Sequence, residues 1–297
     1  MVQNELRLLS QAMADAVEQA GRSLVTVFGR ARQPATGIVF AEELVLTADH
    51  VLERDTNLSV AASDGTKRAA TLVGRDPLSD IAVLRVSGLT LPALASASEA
   101  RPGQLALAVG RPSEEGLMVS LGVVSKVTGP TRLMRGGVLE QIIRTDATPY
   151  PGFSGGALID LSGAAFGMLT TGLLRGEPVV IPMAVALRIA NTLAQKGQVR
   201  RGYLGVITQQ VKLPPSQRAP GREQGLLVVR VEDDSPAERG GVIVGDILIA
   251  VEGQPVRDAD ELLGMLSGER VGQAVQVEVL RGGVAQMLTV VVGQRNA

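Results

Sequence analysis

Between Ser23 and Pro182 the chain repeats one pattern, a short run of β-branched and leucine-rich residues followed by a polar turn. A first set occupies 24–27, 37–40, 44–46, 69–73 and 81–86; a second occupies 104–109, 116–127, 140–145, 156–159, 164–171 and 179–182. Runs this short, with turns rather than helices between them, argue for antiparallel barrels over a helical or doubly wound fold. Two consecutive barrels are expected. With 297 residues, 45% of them hydrophobic, the chain is long enough for roughly two or three domain-sized cores. The absence of cysteine leaves out disulfides and thiol catalysis, and a single histidine leaves out a histidine-based metal cluster, so no metal site is expected. A net charge of −1 gives no electrostatic case for nucleic acid or an anionic membrane as partner. No phosphate-binding loop motif is present, and no cofactor is expected.

The second set of runs contains Pro151-Gly152-Phe153-Ser154-Gly155-Gly156-Ala157-Leu158, one hydroxyl set among glycines before an apolar run. The glycines allow unusual dihedrals, so the N–H groups of Gly152 and Ser154 can point at one oxygen, as an oxyanion hole requires. Alone, the stretch also fits a turn. The first set contains the only histidine, His50, behind the run at 44–46, and Asp80 at the mouth of the run at 81–86. Each alone reads as structural. Together, the order His50, Asp80, Ser154 repeats the His…Asp…Ser order of the chymotrypsin arrangement, which subtilisins and α/β-hydrolases do not share. A serine hydroxyl is a poor nucleophile at neutral pH, so His50 would take its proton, and Asp80 would hold the imidazole in the productive tautomer. The crevice between the two barrels would then carry the chemistry.

Thr47…His50-Val51, Asp76…Asp80-Ile81-Ala82-Val83-Leu84 and Thr145-Asp146-Ala147…Pro151-Gly152…Ser154-Gly155-Gly156-Ala157-Leu158 resemble the three catalytic blocks of the HtrA/Deg serine proteases. The resemblance continues after Val199-Arg200-Arg201. Gly202-Tyr203-Leu204-Gly205-Val206 resembles the carboxylate-binding loop of a PDZ domain, and Ser235-Pro236-Ala237…Gly240-Gly241-Val242…Gly245-Asp246…Gly253 its body. The resemblance implies a mainly β chain: a chymotrypsin-like double β-barrel protease domain at 23–199, preceded by an N-terminal helix at 1–22 and followed by a PDZ domain at 202–295. It implies an ATP-independent serine endopeptidase acting on unfolded or damaged proteins, with His50, Asp80 and Ser154 catalytic and Gly152 and Ser154 forming the oxyanion hole. Tyr203, Leu204, Gly205 and Val206 would bind peptide C-termini, with the strand from Val206 pairing with the peptide. A homotrimer is implied as well, although the helix lacks the aromatic residues often used for that contact.

The S1 pocket of such enzymes is lined partly by the segment before the nucleophile, here Thr148, Pro149 and Tyr150, with Phe153 beside it. No acid is present there to pair with a basic substrate side chain, so cleavage after small or medium aliphatic residues is expected. Three positions depart from the family pattern. Phe153 stands where asparagine is usual, Tyr150 where asparagine or a small residue is usual, and Asp49 where alanine is usual. Two rings beside the nucleophile would narrow the pocket or prop its loop in an inactive form, and Asp49 would compete with Asp80 for His50. The alternative is therefore a latent protease acting as a peptide-binding, chaperone-like protein.

Leu6, Leu9, Met13, Val17 and Ala20 recur at helical spacing up to Gly21 and predict an amphipathic helix packed on the body. A second helix is expected at 184–196 and a third at 258–266, with strands at 206–209, 275–280 and 286–292 and a surface loop at 212–224. Charges at Glu5, Arg7, Asp15, Glu18 and Arg22 interrupt any signal-peptide core, and the apolar run at 179–187 is too short to span a bilayer. The expectation is a cytoplasmic protein as the sequence stands, or an extracytoplasmic one whose export segment lies outside it.

Overall fold

In the computed structural model, which describes residues 2–133, 138–174, 177–198, 202–218, 222–266 and 270–294, the short apolar runs close into two barrels. The first is built from β1 (Leu24–Phe28), β2 (Ala35–Ala41), β3 (Leu44–Thr47), β4 (Leu58–Ala61), β5 (Lys67–Asp76) and β6 (Ile81–Arg85), in the order β1-β2-β3-β6-β5-β4. Of these, β4 escaped the sequence reading. Leu58-Ser59-Val60-Ala61 alternates over too few residues between polar turns to stand out, but pairing with β1 and β5 buries Leu58 and Val60.

The second barrel comprises β7 (Leu105–Ser113), β8 (Gly116–Thr128), β11 (Ile142–Thr145), β12 (Ala157–Ile159), β13 (Ala165–Leu174) and β14 (Glu177–Pro182), ordered β11-β14-β13-β12-β7-β8. A small pair, β9 (Thr131–Arg132) and β10 (Val138–Leu139), lies outside it. Every strand pair in both barrels is antiparallel, as connections by short turns require. Leu24, Ile38, Leu46, Ile81, Leu107, Ile159 and Met168 are all fully buried. Helix α2 (Met183–Lys196) ends in a left-handed Gly197, whose N–H bonds to Leu193 O, the expected glycine stop.

Helix α1 (Val2–Gly21) differs from expectation. Its C-terminal half packs as expected, with Ala16 and Ala20 buried, but Leu6, Leu8 and Leu9 are 62%, 58% and 37% exposed. The apolar stripe is longer than the surface that receives it. Among the described residues no helix is long and apolar enough to cross a membrane.

Chain contacts divide the protein into two compact units, Met1–Val199 and Arg200–Ala297. The boundary expected at Val199-Arg200-Arg201 itself lies outside the described residues. The second unit is a sheet in the order β16 (Val206–Lys212), β17 (Gln224–Val231), β18 (Ile247–Val251), β20 (Ala274–Arg281), β21 (Val284–Val291). The pair β15 (Gly202–Tyr203) with β22 (Gly293–Gln294), the short β19 (Gln254–Pro255), and helices α3 (Pro236–Arg239) and α4 (Ala259–Leu266) complete it. Strand β17 corresponds to no expected element. The expected loop at 212–224 is pinned at one end, because Leu213 is fully buried against Ile249 and Leu280. Residues 219–221 of this expected loop lie outside the described residues.

Candidate active site

His50 sits in a single 3-10 turn, Asp49–Val51, that leaves β3. Strand β3 pairs with β6 in a register that sets Thr47 opposite Ala82, so the residues after β3 meet those before β6. There Asp80 takes a left-handed backbone conformation (φ 56°), tolerated by an aspartate, and turns its carboxylate to the histidine. The His50 N–H donates to Asp80 Oδ1 at 2.9 Å, and His50 Nδ1 lies 3.0 and 2.8 Å from the two carboxylate oxygens. An ionised carboxylate only accepts, so Nδ1 carries the hydrogen and Nε2 is left as the base. Asp80 is 1% exposed, and its Oδ2 also accepts a hydrogen bond from the buried Thr170 hydroxyl. Gly172 leaves room for this pair: a Cβ there would stand 2.6 Å from both His50 Nδ1 and Asp80 Oδ2.

Asp49 turns elsewhere. Its buried carboxylate accepts from Arg75 Nε at 2.5 Å, and Arg75 also reaches Asp55. Burial pulls the Arg75 pKa down, but the bonds and charges of Asp49 and Asp55 outweigh it, and the net shift is upward.

Ser154 stands in a tight turn before β12, between Gly152 (φ 89°) and Gly155 (φ 85°). Two bonds close the turn, Phe153 N–H to Tyr150 O at 3.0 Å and Gly156 N–H to Phe153 O at 2.7 Å. Thr36 on β2 ties it to the first barrel: its N–H donates to Ser154 O at 3.2 Å and its hydroxyl to Gly152 O at 2.8 Å. A Cβ at Gly155 would fall 2.0 Å from Thr36 O, so this close approach needs glycine. The N–H groups of Gly152 and Ser154 have no hydrogen-bond partner among the described residues. Ser154 and His50 share an open pocket of about 290 Å³, with Arg30, Tyr150, Leu169 and Thr171 among its walls. The Ser154 hydroxyl lies 3.3 Å from the Thr171 hydroxyl and makes no bond to His50 in this structure. Such nucleophile–base contacts are often long without substrate and tighten when one binds.

The residues expected around S1 separate into two groups. Pro149 and Tyr150 line the pocket, and among the described residues no carboxylate does. Thr148 is outside the lining, its carbonyl accepting a hydrogen bond from Ser120 Oγ at 2.6 Å. Phe153 is 1% exposed and lies in the core of the second barrel with Ala108, Leu158 and Val180, over Gly110. The two rings meet edge to face, centroids 5.4 Å apart, with Tyr150 alone reaching the pocket. Thr36, Thr170 and Gly172 were not visible in the sequence, because nothing local marks residues whose partners lie so far along the chain.

In the second unit, Leu204 is a core residue and Gly205 (φ 81°) packs tightly against Ser235. The carbonyls of Leu204 and Gly205 accept from Ala237 and Glu232 N–H, both at 2.8 Å, while the N–H groups of Leu204 and Gly205 donate to nothing among the described residues. Tyr203 donates its hydroxyl to Glu232, and β16 leaves the loop as an edge strand. Unpartnered N–H groups beside an edge strand are what capture of a peptide carboxylate requires.

Two barrels with a buried aspartate on a histidine that shares a pocket with a glycine-flanked serine, and a second unit with a glycine loop leading into an edge strand, define a trypsin-like peptidase domain followed by a PDZ domain. Residues 35–168 match the family described as "Trypsin-like peptidase domain", and residues 202–292 match "PDZ domain". A protein of Ectopseudomonas mendocina (strain ymp) described as "Probable periplasmic serine endoprotease DegP-like" is 34% identical over 264 residues, which are 86% of this chain and 55% of that protein. The chain thus spans about half the length of the curated relatives it matches. Among solved structures, "HtrA-type protease AlgW with decapeptide" is 30% identical with a TM-score of 0.79, covering 96% of this chain and 99% of that one. The serine endoprotease from Yersinia pestis is 28% identical with a TM-score of 0.79, covering 96% and 98%. The chain belongs to the HtrA-type serine proteases.

Proposed function

We propose that this chain is an ATP-independent serine endopeptidase that hydrolyses peptide bonds in unfolded or damaged proteins. The observation that carries the reading is the buried Asp80 carboxylate on His50 Nδ1, in one pocket with Ser154 and beside two unpartnered N–H groups. Ser154 attacks the scissile carbonyl as His50 Nε2 takes its proton, and the N–H groups of Gly152 and Ser154 receive the oxyanion. His50 then donates the proton to the leaving amine, and water repeats the sequence on the acyl-enzyme. Asp80, bonded to Nδ1, orients the imidazole and stabilises the imidazolium. The pocket has Leu169 and Tyr150 in its walls and, among the described residues, no acid, which supports cleavage after small or medium aliphatic residues.

We assign the protease role to 23–199, with 1–22 as a docking helix. The loop Tyr203 to Val206 of the PDZ domain at 202–295 recruits C-terminal or extended peptide segments. The exposed leucines Leu6, Leu8 and Leu9 on α1 support assembly as a homotrimer. A latent protease loses two of its supports, since Asp49 is occupied by Arg75 and Phe153 lies in the core. Purified protein incubated with β-casein tests the reading. Fragments ending in aliphatic residues, and none from Ser154→Ala, are expected; equal fragmentation by both proteins, or none by either, contradicts it.

A further inference from the structure

We propose that Thr36 is a positioning residue for the oxyanion hole, and that Arg111 ties it to the end of the N-terminal helix. The inference rests on the reading that the Gly152 and Ser154 N–H groups form that hole. Thr36 is fully buried and binds the carbonyls of both Gly152 and Ser154, thereby bracketing Phe153. Glycine at a left-handed dihedral has wide freedom to reorient, so a hole built on Gly152 needs an outside clamp. The Thr36 hydroxyl has one hydrogen to donate, which goes to Gly152 O, and it accepts the Arg111 N–H at 2.9 Å.

Arg111 lies on β7 and is 7% exposed, with no carboxylate partner among the described residues. Its Nε donates to Leu24 O at 2.9 Å and its Nη2 to Gly21 O at 3.2 Å. Gly21 is the last residue of α1, a helix with no basic residue in its last turn, so Arg111 supplies the positive charge that this end favours. Burial lowers the Arg111 pKa, and among the described residues the guanidinium is held by backbone carbonyls. The Arg111 carbonyl is in turn fixed by the Thr26 hydroxyl at 3.0 Å. A buried path therefore runs from helix end to Arg111, Thr36 and Gly152, where water is poorly placed to replace a lost link.

The test compares Thr36→Val, Thr36→Ser and Arg111→Met in the full chain, by peptide cleavage kinetics and by hydrogen exchange across 150–156. Because the hole acts in the transition state, Thr36→Val is expected to lower kcat about 10- to 100-fold with KM within about twofold, and to speed exchange across 150–156. Thr36→Ser, which keeps the hydroxyl, is expected within about threefold of the wild type, and Arg111→Met about three- to tenfold below it. Unchanged exchange, or faster exchange with unchanged kcat, overturns the proposal. If Thr36→Val does not fold, Arg111→Met decides by the same two readouts. A wild type that cuts no peptide contradicts the proteolytic reading and overturns the oxyanion-hole role with it, whereas a cutting wild type beside an unaffected Thr36→Val overturns this inference alone.

Discussion

At His50 the decisive contact is with a residue thirty positions away, not with its neighbour. Asp80→Asn leaves Nδ1 facing an amide that can present the wrong tautomer partner, and kcat is expected to fall by about 10³- to 10⁴-fold. Asp49→Asn leaves His50 bound to Asp80, so kcat should hold within about threefold while the fold loses about 1–3 kcal/mol through Arg75. Measuring kcat and urea stability for both variants checks the contrast, and equal losses of activity would refute it. Gly172→Ala places a methyl against His50 Nδ1 and Asp80 Oδ2; loss of at least about tenfold in kcat with an unchanged circular dichroism spectrum is expected. His50, Asp80, Ser154 and Gly152 were legible because their residue types and order are rare together. Thr170, Thr36 and Arg111 were not, because a threonine or arginine in a strand is ordinary until the fold sets a carbonyl or carboxylate beside it. Nor could the sequence say which way Phe153 points, and burial of its ring takes it out of the pocket.

The elements were largely legible because short strands with polar turns leave few alternatives. Where the reading slipped, the missing information was tertiary: β4 is identified by its two neighbours, and α1 by a surface that covers only its C-terminal half. The turn before β18 shows the same division. Gly245-Asp246 announces it in sequence, but the carboxylate's partner, Arg281, is on β20. Asp246 is fully buried; burial raises its pKa, but the paired bonds from Arg281 at 2.8 Å, the Ile243 N–H and the Arg281 charge bring it below the usual carboxylate range. A depressed folded pKa gives stability that is present above the unfolded pKa and is lost as pH falls through the folded one. Asp246→Ala should therefore destabilise the second unit by about 1.5–3 kcal/mol at pH 7. The difference from wild type should narrow below about pH 4, where the unfolded-state carboxylate takes up a proton while the paired native one still resists it. Denaturation curves at both pH values check this, and a gap that widens in acid would be inconsistent with it.

For the molecule as a whole, the unpartnered leucines of α1 predict assembly. Sedimentation equilibrium of the wild type should give about three chain masses, and Leu6→Glu with Leu9→Glu should shift it toward one, since charges on an apolar contact are costly to bury. A monomeric wild type would remove the trimer from the account. The central claim, that Ser154 is a nucleophile activated by His50, is tested most directly by diisopropyl fluorophosphate labelling followed by peptide mass spectrometry. The account predicts one adduct, on Ser154, formed at least about 100-fold more slowly in His50→Ala. No adduct on Ser154, or equal labelling without the histidine, would contradict it.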